Sequence, residues 1–138
     1  LYIRTAILED VTNGLADLLT EFGEFDTKDP HLVDVMFGST SGIMFVGLDV
    51  GKVIGCATLV IDQKLIHNFG RVARIEEVVI HPDYRGKGLG KELIGYLTNE
   101  ARLRRCYKVI LNCNDHNVKF YENCDFYKVA NTMRIDLV

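Results

Sequence analysis

A strand-like run, Ile75-Glu76-Glu77-Val78-Val79-Ile80, leads through a short connection into Arg85-Gly86-Lys87-Gly88-Leu89-Gly90, and a helical pattern follows. Glycines at alternate positions remove side chains where the main chain turns, so successive amides can face one ligand. The first turn of the following helix has amides without intrahelical partners, and its dipole favours negative charge. Arg85 and Lys87 add cationic side chains. Together these features fit a diphosphate. A P-loop requires Ser or Thr after Gly-Lys, whereas Gly90-Lys91 is followed by Glu92. A dinucleotide fingerprint spaces its glycines more widely than Gly86, Gly88 and Gly90.

Two carboxylates, Glu76 and Glu77, sit side by side in the strand before this turn. Strand periodicity sends them to opposite faces, so one is expected to reach a pocket and the other to stay solvated. The thiols offer less chemistry. Cys56, Cys106, Cys113 and Cys124 form no C-x-x-C pair, so no metal is expected, and their apolar settings suit buried free thiols. No Cys has an evident His partner, which gives no case for an acyl-enzyme.

The elements that must hold these groups follow from periodicity. Strands are expected at Tyr2–Ala6, Ile43–Leu48, Val53–Ile61, Val72–Ile80 and Lys108–Cys113, with one or two more in Phe126–Val138. Helices are expected at Glu9–Phe22, His31–Phe37, Lys87–Arg104 and Asn114–Asn123. Asp49-Val50-Gly51-Lys52 reads as a hairpin turn, and Asp62–Arg71 as a longer connection. The order is mixed and unrepeated. The 138 residues suit a single domain, 1–138, of α/β (α+β) class.

Apolar residues make up 48% and charged residues 25%, the balance of an ordinary globular protein. A net charge of −3 argues against nucleic acid as a partner, though a local cluster of donors can still bind an anion. No signal peptide or long apolar span is visible. No membrane partner is expected, and an intracellular, cytoplasmic setting is the default.

Arg85-Gly86-Lys87-Gly88-Leu89-Gly90 matches the R/Q-x-x-G-x-G/A signature of the GNAT superfamily of N-acetyltransferases, and the element order resembles theirs. The resemblance extends to a branch of that family through Tyr2-Ile3-Arg4, Lys64-Leu65-Ile66-His67, Ile75-Glu76-Glu77-Val78, Cys106-Tyr107-Lys108-Val109-Ile110-Leu111 and Asn117-Val118-Lys119-Phe120-Tyr121-Glu122. It implies a mostly antiparallel central sheet flanked by helices, and acetyl-CoA as cosubstrate. In that branch the acceptor is a small molecule, an amino sugar phosphate, and a second subunit completes the pocket, so a homodimer is implied.

Residue by residue, the resemblance implies that Val78, Val79 and Ile80 pair their backbone with the pantetheine arm. Arg85, Gly86, Lys87, Gly88, Leu89 and Gly90 would bind the pyrophosphate. Tyr121 would stabilise or protonate the departing thiolate, and backbone N–H near Val78 would stabilise the developing oxyanion. Glu76, Glu77 and Val78 would contact the acceptor, with Lys64, Leu65, Ile66, His67, Tyr107 and Lys108. Thr20 aligns with a further acceptor-binding position.

Two departures stand out. Asn112 replaces an acid, and Asn cannot act as a side-chain base, which leaves a backbone carbonyl, a water or Glu76 as proton acceptor. Asp136 stands where relatives carry a phosphate-binding Arg, and Arg134 lies two residues away, on the same face of a regular strand. An acceptor of another kind, or a module that binds CoA without catalysis, remains open on the sequence.

Overall fold

The computed structural model describes residues 1–38 and 42–138. Among the described residues one sheet holds five strands, in the spatial order of the chain. They are β1 (Tyr2–Thr5), β2 (Gly42–Asp49), β3 (Lys52–Gln63), β4 (Arg71–Ile80) and β5 (Cys106–Ile110). Neighbours run antiparallel except β4 and β5, which are parallel, so the mixed, mostly antiparallel sheet expected from the sequence is the one found. The β2–β3 hairpin turns on Val50 and Gly51, both at positive φ (47° and 78°), as a two-residue turn matched to strand twist requires.

The sheet buries apolar side chains on both faces. Helix α3 (Leu89–Leu103) repeats Leu89, Leu93, Leu97 and Ala101 at helical spacing. It buries Leu93, Ile94, Leu97 and Ala101 in one cluster with Ala57, Leu59, Ala73 and Ile75. Each large side chain so buried contributes roughly 1.5–3 kcal/mol. On the other side Leu15 and Leu18 join Val46, Leu48 and Val53.

Where the chain departs from its helical and strand patterns, the causes are local. The expected helix Glu9–Phe22 is a 3-10 turn (Leu8–Asp10), a π turn (Val11–Leu15) and a short helix α1 (Ala16–Leu19). Gly14 breaks it: at φ 115° it approaches β3 so closely that a Cβ would lie 2.7 Å from the Val53 carbonyl oxygen. The expected helix His31–Phe37 is one π turn, Asp34–Gly38. The 62–71 connection includes a single turn, α2 (Ile66–Phe69), and the last helix, α4, is Val118–Glu122 after a 3-10 turn at Asp115–Asn117.

Two strand expectations are corrected. The strand placed at Lys108–Cys113 is Cys106–Ile110, because pairing with β4 stops at Arg74↔Ile110. No strand forms in Phe126–Val138. The alternation Tyr127, Val129, Met133, Ile135, Leu137 is there, but all five side chains stay exposed.

Candidate active site

Beyond the pairs of Arg74 with Ile110 and Glu76 with Thr58, β4 changes character. Thr58 opposes Glu76 and Cys56 opposes Val79, so the single β3 residue Ala57 faces both Glu77 and Val78. That is a β-bulge, with Glu77 at φ 54°. A bulge bends its strand and disrupts the ladder, and β5 has already ended. The β4 edge from Ile75 to Ile80 therefore has no strand beside it among the described residues. Unpaired backbone along such an edge can take an extended amide chain as an added strand.

The edge points into the glycine turn. Gly86 and Gly88 have φ of 77° and 81°, and a Cβ at either would meet open space, so both glycines are there for the backbone angle. Gly88 directly precedes α3. Among the described residues no backbone carbonyl accepts from the amides of Gly86, Lys87 or Gly88, and those opening α3 have no intrahelical partner. The turn thus offers a run of donors at a helix start, which fits a pyrophosphate.

Its two cations differ. Arg85 is engaged: its Nε donates to the Ile80 carbonyl (2.9 Å) and its Nη2 to Glu21 Oε1 (2.6 Å). Lys87 Nζ lies 5.4 Å from the Tyr84 ring centroid.

Against the bulge lies a cavity of about 780 Å3, walled largely by apolar side chains including Leu15, Leu19, Phe22 and Met44. Both Glu76 and Glu77 line it. This corrects the expectation of opposite faces: regular alternation fails at the extra residue of a bulge. The two acids differ in their partners. Glu76 is paired with Arg74, which also holds Asp62 at 2.9 Å. Glu77 Oε1 accepts from the Thr58 hydroxyl at 3.0 Å.

Tyr121, on α4, packs between Phe120 and Phe126, 4.9 and 5.9 Å between ring centroids. Burial, with Cys113 and Cys124 nearby, pushes its phenol up to about 12, so it stays a proton carrier at neutral pH. Burial also pushes the Cys56 thiol up to about 12, with Glu77 adding to it, which makes that sulfur a poor nucleophile.

The remaining candidates are placed unevenly. Asn112 lies just past the end of β5, and its Oδ1 accepts from the Thr132 hydroxyl at 2.7 Å. Thr20 is exposed at the end of α1 and donates to the Asp17 carbonyl at 2.6 Å; its neighbours Leu19 and Phe22 line the cavity and it does not. Arg134 is exposed and bound to Asp136 at 2.7 Å, in a segment with no strand to fix a common face. Lys64, Leu65, Ile66, His67, Tyr107 and Lys108 gather at the opposite end of β4 from the bulge. The six residue steps from Arg71 to Glu77 span about 20 Å of extended chain. Sequence reasoning missed Thr58, a polar residue in an apolar strand run, and Arg74, whose place inside a strand already called for acidic partners.

The arrangement is an open strand edge leading into a glycine turn, an acid-lined cavity beside it and a half-buried phenol. Residues 12–126 match the family model described as the acetyltransferase (GNAT) family, and the chain belongs to that family. Membership implies acetyl-CoA as the acetyl donor.

Curated relatives are more particular. The glucosamine 6-phosphate N-acetyltransferase 1 of Dictyostelium discoideum is 32% identical over 97% of this chain and 89% of its own. The glucosamine 6-phosphate N-acetyltransferase of Schizosaccharomyces pombe is 40% identical over 71% of this chain and 89% of its own. Among solved structures, glucosamine-6-phosphate N-acetyltransferase from Arabidopsis thaliana superposes with a TM-score of 0.88 at 26% identity, covering 99% and 98% of the two chains.

Proposed function

We propose that this chain transfers the acetyl group of acetyl-CoA to the amine of D-glucosamine 6-phosphate, giving N-acetyl-D-glucosamine 6-phosphate. One observation carries the reading: the bulge that frees the β4 edge for a thioester arm also turns two carboxylates into the adjoining cavity, where an amino sugar's cation would be held. The names of the relatives support the phosphorylated acceptor.

In this reading acetyl-CoA supplies an activated acyl group. The chain's own residues bind, orient and move protons. Amides from Gly86 to Gly90 hold the pyrophosphate, while Arg85 needs to exchange Glu21 for phosphate oxygens. The β4 edge at Val78–Ile80 aligns the pantetheine amides, and an N–H near Val78 faces the oxygen on which charge develops. The acceptor's ammonium, held by the carboxylates, first gives a proton to solvent; the neutral amine then attacks the thioester carbon directly, and the new C–N bond replaces the C–S bond. The Tyr121 hydroxyl gives its proton to the departing sulfur and regains one, by way of water, from the nitrogen as the amide forms. A direct attack suits the thiols, since Cys56, Cys106 and Cys124 are all raised by burial.

Lys64, His67 and Lys108 stand too far along β4 to share an acceptor with Glu77 of the same chain. We assign them to the pocket of a second copy, which makes the enzyme a homodimer with shared sites. The outer edge of β5, unpaired among the described residues, and the exposed alternation through Met133, Ile135 and Leu137 support this. Among the described residues the four free cysteines fit a reducing, intracellular compartment, and no helix is long and apolar enough to cross a membrane.

The test follows CoA release with glucosamine 6-phosphate, glucosamine and glucose 6-phosphate. Release is expected with the first, far less with the second and none with the third. Preference for a non-phosphorylated amine rejects the assigned acceptor; tight CoA binding without turnover of any amine rejects the enzyme.

A further inference from the structure

Among the described residues only two polar side chains are buried, Asp10 and Thr58. The Asp10 carboxylate is taken up by Arg4 and the Ile7 amide. Thr58 sits in the middle of β3, 8% exposed, and its hydroxyl donates to Glu77 Oε1 at 3.0 Å.

We propose that Thr58 is a positioning residue for the acceptor, fixing the Glu77 carboxylate on the cavity side of the β4 bulge. The proposal rests on the acetyl transfer proposed above and deepens it.

The geometry gives Thr58 two tasks. Its γ-methyl lies 3.4 Å from where a Cβ of Gly42 would stand, so the methyl faces β2 and the hydroxyl faces β4. A β-branched side chain has few χ1 choices, and contact on one branch fixes the other. The hydroxyl proton then has a defined acceptor. Glu77 needs such a hold, because its backbone is in the left-handed region at φ 54°. For a residue with a Cβ this conformation is strained and persists only where the surroundings impose it. The second contact is the Cys56 thiol, 3.6 Å from the Glu77 carbonyl oxygen. Side chain and backbone of Glu77 are thus both tied to β3.

Charge assigns the purpose. Glu76 shares Arg74 with Asp62, so its charge is compensated within the sheet. Glu77 has no cation within ion-pair distance among the described residues and faces a largely apolar cavity. A carboxylate there attracts an ammonium, and because Glu77 is exposed at the cavity its fixed direction, more than the strength of its field, sets the preference. The hydroxyl of Thr58 occupies one carboxylate oxygen and orients the other. Thr58 therefore acts through Glu77 and selects a cationic acceptor with a set direction of approach.

The test uses T58V, T58S, E77A and the double variant T58V/E77A, with initial rates measured against each substrate in turn. T58V is expected to raise the acceptor KM about tenfold, the scale of a hydrogen bond to a charged group. The acetyl-CoA KM stays unchanged, and T58S recovers most of the loss. In the E77A background T58V has no further effect, because two residues acting as one do not add. An unchanged acceptor KM in T58V, or losses that multiply in the double variant, overturns the proposal. If the wild-type chain acetylates no amine, it is the acetyl-transfer reading that falls. The crystal structure of T58V then decides the positioning role: a displaced Glu77 carboxylate upholds it, and one in place removes it.

Discussion

The His67 imidazole lies on the Tyr107 ring, 4.2 Å between centroids and 29° between planes, and joins the β3–β4 connection to β5. Lys108 Nζ stands 5.5 Å from the same ring centroid. Gly70 makes the stack fit: a Cβ there would lie 2.7 Å from Tyr107 Cδ1 and 3.1 Å from His67 Cβ. Gly70→Ala must therefore displace Tyr107, with an overpacking cost of about 1–3 kcal/mol. If this cluster grips the acceptor's phosphate, the variant raises KM for glucosamine 6-phosphate and leaves KM for glucosamine and acetyl-CoA alone. Equal changes for both amines place the cluster outside the phosphate's reach.

Tyr121→Phe keeps the ring and its contacts with Phe120 and Phe126 and removes only the hydroxyl. A lost general acid lowers kcat by about a hundredfold, with acetyl-CoA binding little changed. Because burial pushes the phenol up to about 12, the acid form persists through neutral pH. Wild-type kcat is expected to show no loss of this proton until well above the ordinary phenol value of about 10. An alkaline decline near neutrality, still present in the Phe variant, belongs to some other group.

Gly88→Val tests the turn. At φ 81° a β-branched residue is strained by at least about 1–2 kcal/mol. Nothing crowds its Cβ, so the damage is confined to the backbone angle and the amides it aims. The acetyl-CoA KM is expected to rise about tenfold or more, by the loss of donors at a charged group. Calorimetric titration with CoA separates this from a slower chemical step: normal affinity rules the turn out as the pyrophosphate site.

Both the turn and the long helix after it were legible because each has a local cause, glycine at set positions and apolar residues every third or fourth place. The bulge was not. Glu76-Glu77 obeys strand alternation on paper, and only the register against Thr58 and Cys56 reveals the extra residue. Gly14 likewise reads as a tolerated glycine in a helix until Val53 is seen beneath it. The C-terminal alternation has the period of a strand, but a strand needs a partner, and among the described residues none in the chain pairs with it. Period is encoded locally; register and pairing are not.

Arg4 and Asp10 give the fold an acid-sensitive clasp, with Nη1 and Nη2 of Arg4 at 2.7 and 2.9 Å from the two carboxylate oxygens. Burial is the largest influence on Asp10 and opposes its charge, but the Arg4 pair and the Ile7 amide together outweigh it and hold the carboxyl below its ordinary value. A depressed folded value means the stabilisation is complete above the unfolded carboxyl's range and disappears as pH falls through the folded one. Arg4→Met strands a buried carboxylate, and its loss of stability at neutral pH is expected to be about 3 kcal/mol. Urea unfolding across pH checks the sign: the wild-type chain loses its advantage over the variant on acidification. A constant difference down to strong acid assigns the loss to packing.

The exposed alternation at Met133, Ile135 and Leu137 bears on assembly. Apolar side chains at every second position of an extended segment are costly in water unless a surface covers them, and among the described residues no strand pairs with the outer edge of β5. A second copy can answer both needs and bring its Lys64, His67 and Lys108 towards the first copy's Glu77. Met133→Asp with Ile135→Asp places charges on that face without touching the five-stranded sheet. Sedimentation is expected to show a dimer for the wild-type chain and a folded monomer for the double variant. The monomer still binds CoA, because turn and β4 edge belong to one chain, but it loses turnover with glucosamine 6-phosphate. A monomeric variant with full activity would mean that one chain carries its own phosphate grip, and the cations at the far end of β4 would need another purpose.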